Sequence, residues 1–349
     1  MEAPAARSAA GALLLLLMLS AELLAGEALV LGEAGTGSGS ARDQKARVTP
    51  DSTGSDWDRW GPVPKIEGMP QVVPGRSYVF ITHHKTGTNL MQRFCNLTAR
   101  LTTAERDQCA FCFTVQPPTK PGGPPGCVPD PIPVHGPLRG TFSRFTLVSN
   151  IDKEEYKYIQ DFAPDFRAVH MVRDPVEMAL SAYAYNTYLE TPAGKNLRWD
   201  ESAKFRKSQS LPGKLRAEAR AILPKVQDMG GTDELAFGDS RTLTLDLDTF
   251  SQAYDDTATR LFSHLFDSPP SKQLTKLVQN ASAHDTSRWS EKQRQGAATV
   301  APKMGINKEQ VEQAWRQLAA QNDSSILLVE GYREPLGYVP GSKRWEHPI

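Results

Sequence analysis

Five consecutive residues, Lys85-Thr86-Gly87-Thr88-Asn89, carry the side chains best suited to chemistry in this chain. A glycine lets the backbone approach a ligand closely, while a lysine and two hydroxyls supply charge and hydrogen-bond donors. Their order differs from the nucleoside-triphosphatase loop G-x-x-x-x-G-K-[ST], in which the lysine follows the glycines. The run therefore predicts an anion-binding loop that is not that of a standard ATPase or GTPase.

The segments on either side of this loop predict a strand and a helix. Residues 77–82 (SYVFIT) are β-branched, aromatic and apolar nearly throughout, as in a strand buried on both faces. After the loop, Leu90, Phe94, Leu97 and Leu101 recur at the spacing of one helical stripe. A helix N-terminus presents N–H groups without intrahelical acceptors and a positive dipole end, so this arrangement is suited to hold an anion.

A second group of residues follows another predicted strand. Residues 168–172 end at Arg173, and Asp174 is placed as the N-cap of a helix that begins with Pro175. Glu177 falls at the third helical position, which completes a capping box. Ser181 lies two turns along the same helix face. An arginine at a strand end and a hydroxyl on that face can converge on one phosphate.

At these two places the sequence resembles the sulfotransferases that use 3′-phosphoadenosine 5′-phosphosulfate. The run 85–89 is similar to their 5′-phosphosulfate loop, and Arg173 with Ser181 is similar to their 3′-phosphate pair. The resemblance is clear over residues 77–188. Beyond it, residues 241–250 (RTLTLDLDTF) are similar to a later strand that ends in an acidic residue before a helix. Asn89 departs from the family pattern, which has a hydroxyl residue there.

The resemblance implies both a fold and a reaction. The fold is a three-layer, P-loop-like α/β domain with a mainly parallel central sheet flanked by helices. The donor is 3′-phosphoadenosine 5′-phosphosulfate, and no metal is required. Lys85 is the catalytic residue and binds the donor with Thr86, Gly87, Thr88 and Asn89, while Arg173 and Ser181 hold the 3′-phosphate.

Two parts of the family site have no clear counterpart in this chain. The base that takes the proton of the acceptor is one of these, and His135 and Glu105 are both candidates. The segment that contacts the adenine nucleotide is the other, and residues 287–296 (SRWSEKQRQG) are the nearest candidate.

The composition of the chain limits its function, and the composition of its segments predicts how the domains are arranged. In 349 residues, Lys and Arg total 40 and so do Asp and Glu, which argues against a nucleic-acid-binding protein. Residues 1–30 predict a signal peptide or, alternatively, a short signal-anchor. Residues 31–75 predict a linker or stem, and residues 76–340 the sulfotransferase domain. The only membrane contact expected is therefore through the N-terminal segment.

Cysteines and glycosylation sequons also indicate the secretory pathway, in the Golgi lumen or outside the cell. All four cysteines (Cys95, Cys109, Cys112 and Cys127) fall in one short region, which predicts two local disulfides with three connectivities open. Sequons stand at Asn96, Asn280 and Asn322. Between the cysteines, the Pro-rich residues 115–137 predict a loop without regular structure.

The acceptor is expected to be a hydroxyl on a carbohydrate or glycoprotein. Protein tyrosine and secreted small molecules are the alternative acceptors. Two other classes stay open: a kinase-like nucleotide-binding protein, and a non-catalytic glycan-binding module on the same fold.

Overall fold

The computed structural model describes residues 69–102, 109–117, 125–128, 142–163, 165–190, 210–290 and 306–339. Within these residues, the central sheet contains the strands β1 (Ser77–Thr82), β2 (Ala110–Cys112), β5 (Phe145–Ser149), β6 (Phe166–Val172) and β7 (Thr242–Asp246). All five are parallel to their neighbours, in the order β2-β5-β1-β6-β7. Parallel strands place all their carboxyl ends at one edge, where ligands bind in open α/β sheets.

Helices cover both faces of the sheet. The helices are α1 (Thr88–Thr102), α2 (Lys153–Phe162), α3 (Pro175–Glu190), α4 (Leu211–Ala236), α5 (Leu247–Gln252), α6 (Tyr254–Leu265), α7 (Ser271–Ala281), α8 (Lys308–Ala320) and α9 (Ser324–Glu330). Helices α1, α6 and α7 pack on the face that carries Tyr78 and Phe80, while α2 packs on the opposite face against Val79 and Ile81. Helices α3, α4, α8 and α9 form a further core with Val172. The predicted three-layer α/β fold is therefore confirmed.

The elements around the predicted site follow their sequence signals closely. Strand β1 has the predicted bounds, and all of its residues after Ser77 are buried. In α1, Phe94, Leu97 and Leu101 are buried in the core, and Leu90 packs against it. Strand β6 begins at Phe166, two residues before the predicted start, because Phe166 pairs with Ser77 of β1.

The prediction that residues 115–137 lack regular structure is wrong. Two short strands, β3 (Thr114–Gln116) and β4 (Gly126–Val128), pair antiparallel. Each has three residues, and Pro117 and Pro125 lie just outside the pairing. Proline has no backbone N–H to donate within a strand pairing. This pairing is short enough that both prolines lie outside it and no hydrogen bond is lost.

Both predicted disulfides are present, and the structure selects one of the three connectivities. Cys95 pairs with Cys109, which joins α1 to the start of β2, and Cys112 pairs with Cys127, which joins β2 to β4. The Cα atoms of the two pairs are 5.6 and 5.3 Å apart, within the range that a disulfide needs.

This connectivity can be tested by peptide mapping without reduction. Trypsin cleaves after Arg93 and Arg100, so it releases Cys95 on its own short peptide. We expect that peptide to be linked to Cys109 when the linked species is fragmented, and Cys112 to be linked to Cys127. A reduced and alkylated sample is the control. Linkage of Cys95 to Cys112 or Cys127 would contradict the structure.

The three sequons differ in how accessible they are. The amide oxygen of Asn96 accepts a hydrogen bond from the Cys109 backbone N–H at 3.2 Å, and Thr98 of the same sequon is fully buried. Asn322, in contrast, is exposed in a turn after α8. Glycosylation stays a prediction, and Asn322 is more accessible to it than Asn96.

The predicted leader lies outside the described residues, as do most of the linker and the last residues of the chain. In the ranges that are described, no helix is both long and apolar enough to cross a membrane. The predicted domain boundaries and the choice between a signal peptide and a signal-anchor therefore stay predictions.

Candidate active site

The predicted anion-binding loop closes on itself through Thr86. The Thr86 backbone N–H and hydroxyl both donate to the His83 carbonyl, at 3.1 and 3.0 Å. In return, the His83 backbone N–H donates to the Thr86 hydroxyl oxygen at 2.8 Å. These three hydrogen bonds fix a tight turn at the carboxyl end of β1, so the loop's own contacts determine its shape.

Two residues of the loop have the left-handed backbone conformation. Lys85 has a φ of 64° and Gly87 a φ of 95°. A Cβ atom at Gly87 would lie 2.9 Å from Cδ1 of Leu247, at the start of α5. Positive φ is uncommon for residues other than glycine and often marks functional sites. Its occurrence at Lys85 indicates that the turn is held by its surroundings.

Helix α1 begins directly after this turn and points its N-terminus into the site. The Thr88 hydroxyl donates to the hydroxyl oxygen of Thr82 at 3.1 Å, and the Met91 backbone N–H donates to the Gly87 carbonyl at 3.0 Å. The backbone N–H groups of Thr88, Asn89 and Leu90, which precede Met91 in the first turn, have no acceptor within the helix itself. They are placed to hold the oxygens of an anion.

The Lys85 side chain extends from the loop towards α3. Its Nζ atom lies 3.9 Å from the ring centroid of Tyr185. A cation over the face of an aromatic ring is attracted to it electrostatically. The contact holds the ammonium group beside the loop and keeps it partly shielded from solvent.

Arg173 joins the loop to the first turn of α5, the helix that follows β7. It is only 6% exposed, and its guanidinium donates to the Lys85 carbonyl at 3.4 Å and to the Asp248 carboxylate at 3.3 and 3.5 Å. A contact to Glu177 measures 3.5 Å. Charge-assisted hydrogen bonds are ordinarily about 2.7–2.9 Å long. The guanidinium is therefore enclosed by acceptors without a close bond to any of these three, which leaves it able to bind a phosphate.

Ser181 lies on the helix face between the two cationic residues. Glu177, Ser181 and Tyr185 follow one another at intervals of four residues, so they share a face of α3. Glu177 contacts Arg173 and Tyr185 contacts Lys85. Ser181 therefore shares a helix face with one residue that contacts Arg173 and one that contacts Lys85.

The start of α3 differs in one respect from its prediction. Asp174 caps the helix, because its carboxylate accepts from the Val176 backbone N–H at 2.9 Å. The Glu177 carboxylate, which the predicted capping box would turn back towards Asp174, contacts Arg173 and Lys308. Asp174 also pairs with Arg333 at 2.9 Å. The Glu177 carboxylate, which was expected to stabilise the start of α3, therefore lies beside the candidate phosphate site.

Other predicted site residues are only partly described. Glu105 and His135, the candidate bases, lie outside the described residues, as do residues 291–296. In the described part of the nucleotide-contacting candidate, the Trp289 ring lies 4.9 Å from the guanidinium carbon of Arg93 on α1. That contact brings the segment against the helix that begins at the loop.

Comparison with solved structures gives matches of low sequence identity. The chain is similar to the mouse sulfotransferase SULT7A1 complexed with PAP, with 11% identity over 75% of this chain and 89% of that chain and a TM-score of 0.41. It is also similar to a sulfotransferase from Alicyclobacillus acidocaldarius, with 16% identity over 61% of this chain and 93% of that chain and a TM-score of 0.27. Comparison with protein-family models and with curated proteins gives no match.

Three features of the site were not found from the sequence. Tyr185 stands four residues after Ser181, so helical spacing could have placed it on the same face. Asp248 reaches Arg173 from the first turn of α5, and no local sequence signal indicates that contact. A buried histidine pair, His83 and His170, lies behind the loop with Nε2 atoms 3.0 Å apart.

No group of three or more His, Cys, Asp or Glu residues in the described ranges is placed to hold a metal ion. The prediction that no metal is needed rests on the donor chemistry and stays a prediction. The same holds for the roles of Lys85, Thr86, Gly87, Thr88, Asn89, Arg173 and Ser181 in donor binding.

Burial of histidines near the site makes stability depend on pH. Burial lowers the pKa of His83 well below its ordinary value, with smaller contributions from His170 and Lys225, and it lowers the pKa of His284 to about 4. Below about pH 6.5, the unfolded chain therefore binds more protons than the folded chain. Each histidine should then remove up to ~1.4 kcal/mol from the free energy of unfolding per pH unit of acidification.

Urea unfolding at about pH 7 and pH 5.5 measures this loss. The variant His284→Gln has no titratable group at that position, so its free energy of unfolding should depend less on pH than that of the wild type. Equal pH dependence of the two proteins would contradict the assignment of His284 as a buried neutral histidine.

Proposed function

We propose that the protein is a sulfotransferase that transfers the sulfuryl group of 3′-phosphoadenosine 5′-phosphosulfate to an acceptor hydroxyl. One observation carries the proposal: Arg173 donates to the Lys85 carbonyl of the anion-binding loop, and Ser181 stands on the helix face that contacts both residues. A loop for one phosphate and an arginine with a hydroxyl for a second one fit a donor with phosphates at both the 5′ and 3′ positions.

The loop and α1 would stabilise the leaving group. Sulfuryl transfer resembles phosphoryl transfer, in which charge grows on the bridging and peripheral oxygens in a loose transition state. Lys85 would neutralise the charge on the leaving phosphate, and the backbone N–H groups of Lys85 and of residues 87–90 would donate to its oxygens. The turn that places these donors is fixed by Thr86, so little reorganisation is needed during the reaction.

Arg173 and Ser181 would bind the 3′-phosphate. The guanidinium would exchange its long contacts to Asp248 and Glu177 for shorter, charge-assisted bonds to phosphate oxygens. Ser181 would add one neutral hydrogen bond from the same face. The donor supplies the sulfuryl group, and the chain supplies the charges and N–H groups that hold both phosphates.

The acceptor is proposed to be a hydroxyl on a carbohydrate or glycoprotein, met in the Golgi lumen or outside the cell. A predicted N-terminal leader and two disulfides support an oxidising compartment. His135 and Glu105 stay the proposed candidates for the base that takes the acceptor proton. We propose no nucleic-acid partner, in line with the balanced charge of the chain.

A transfer assay with labelled donor tests the proposal. Purified protein is incubated with the donor and a panel of glycans, glycoproteins, tyrosine peptides and phenols, with and without chelator. We expect transfer of label to at least one carbohydrate acceptor and release of 3′,5′-diphosphoadenosine. Transfer to peptide or phenol alone would show that the proposed carbohydrate acceptor is wrong. Mg²⁺-dependent ATP turnover without sulfuryl transfer would favour a kinase-like protein and overturn the proposal.

A further inference from the structure

Three polar residues form a buried line behind the anion-binding loop. His83 comes from the end of β1, His170 from β6 and Asp233 from α4, and they are 0%, 0% and 3% exposed. The His83 and His170 Nε2 atoms are 3.0 Å apart, and His170 Nδ1 lies 3.8 Å from Asp233 Oδ1. Burying polar groups costs free energy that apolar side chains of similar volume would not cost. The presence of this line under the loop therefore calls for a functional reason.

The Asp233 carboxylate determines which ring nitrogen of each histidine carries the proton. Asp233 can only accept at a carboxylate oxygen, so it favours the tautomer of His170 that carries its proton on Nδ1. The Nε2 atom of His170 is then an acceptor, and only a proton on His83 Nε2 can complete the 3.0 Å contact. The opposite order would direct a lone pair of His170 at the carboxylate.

The inner end of the line is part of the loop. The His83 backbone N–H and carbonyl make the three hydrogen bonds with Thr86 that close the turn, and the same carbonyl also accepts from the Thr88 hydroxyl at 3.4 Å. A shift of the His83 ring would therefore move the turn that carries Lys85. At the outer end, Asp233 lines a surface cavity of ≈ 680 Å³ with Gly230 and Tyr332.

We propose that Asp233, His170 and His83 are positioning residues that hold the anion-binding loop in its active conformation. This inference rests on the sulfuryl transfer proposed above, for which Lys85 must point at the leaving phosphate. The 3.0 Å hydrogen bond between the two rings fixes their relative orientation, and the Asp233 carboxylate, 3.8 Å from His170 Nδ1, attracts the proton on that nitrogen and so favours this one arrangement.

The variant Asp233→Asn removes the carboxylate but keeps the size of the side chain. The amide can donate to His170 Nδ1, so the proton order is no longer fixed. We expect kcat to fall by about 10–100-fold, the range found when a carboxylate that orients a metal-ligating histidine is removed. Amide hydrogen exchange of the peptide that contains residues 83–88 should accelerate, while exchange in α6 should stay unchanged.

Substitutions of His83 provide the rescue test. His83→Gln retains a donor near the position of Nε2 and should keep more activity than His83→Leu, which has none. His264→Gln is the matched control, because His264 bonds the Arg241 carbonyl at 3.0 Å at the opposite edge of the sheet. That control should lower stability without lowering kcat. Wild-type kcat in folded Asp233→Asn or His83→Leu would overturn the proposal.

A measurement on the wild type tests the proposal even if the variants do not fold. In protein labelled with ¹⁵N-histidine, the ring-nitrogen shifts should show a proton on Nδ1 of His170 and on Nε2 of His83. The reverse order, or two rings without a fixed tautomer, would overturn the positioning proposal. Absence of sulfuryl transfer by the wild type, with the predicted tautomers present, would instead overturn the proposed function.

Discussion

Replacing Lys85 by alanine should lower turnover at least ~10²-fold, the effect typical of losing one group that stabilises transition-state charge. Lys85 stands in a fixed turn with a φ of 64°, and its ammonium group lies over the Tyr185 ring. Its position is therefore set before the donor binds. Charge that grows on the leaving phosphate would meet a cation that needs little rearrangement, which is the condition under which such a group acts most strongly.

The measurement is a steady-state transfer assay on folded Lys85→Ala and wild-type protein. Lys272→Ala, a substitution at an exposed position in the first turn of α7, is the control for loss of one positive charge. The effect on kcat should exceed the effect on donor affinity, because the charge to be stabilised is largest in the transition state. Near-normal kcat in a folded Lys85→Ala protein would remove Lys85 from the catalytic role.

Local patterns in the sequence predicted the parts of the fold that local interactions determine. The apolar run of β1 follows from burial on both faces of the sheet, and the stripe from Leu90 to Leu101 follows from burial on one face of α1. Residues 241–250 likewise contain the predicted strand and helix, with Asp246 as the N-cap of α5. The β3–β4 pairing could not be predicted in this way. It depends on contacts between two three-residue segments, and the prolines beside them indicate a loop rather than strands.

The candidate site divides along the same line. Lys85, Gly87 and Arg173 were predicted from the short motifs that contain them. Asp248 could not be predicted, because its contact to Arg173 joins the end of β6 to the first turn of α5, which are far apart in sequence. The pairing of His83 with His170 also requires β1 and β6 to be neighbours in the sheet, which the order of elements alone does not specify.

The acidic neighbours of Arg173 sharpen the test of the 3′-phosphate site. Asp248 and Glu177 would repel a phosphate that binds the guanidinium, and they also compete for its N–H groups. The Asp248 side chain is 37% exposed, so its attraction to Arg173 is screened by solvent. Exposed ion pairs are worth about 0.2–1 kcal/mol. Asp248→Asn should therefore strengthen binding of 3′,5′-diphosphoadenosine by up to about fivefold.

Arg173→Ala should have the opposite and larger effect. A hydrogen bond to a charged group contributes about 1.5–3 kcal/mol, so affinity for 3′,5′-diphosphoadenosine should fall by about 10–150-fold. Ser181→Ala removes a neutral contact of about 0.5–1.5 kcal/mol and should lower that affinity by about 2–13-fold. Neither substitution should change the affinity for 5′-AMP, which has no 3′-phosphate.

Calorimetry with the two ligands on one preparation of each variant separates binding from folding. Arg216→Ala is the control arginine. Arg216 lies on α4 and pairs with Asp323, the N-cap of α9, at 2.5 Å, so its loss should affect neither ligand. Equal loss of both ligands in Arg173→Ala would mean that the arginine holds the Lys85 turn rather than the 3′-phosphate. Equal affinity of the wild type for both ligands would mean that no 3′-phosphate site exists, and the proposed donor would then be wrong.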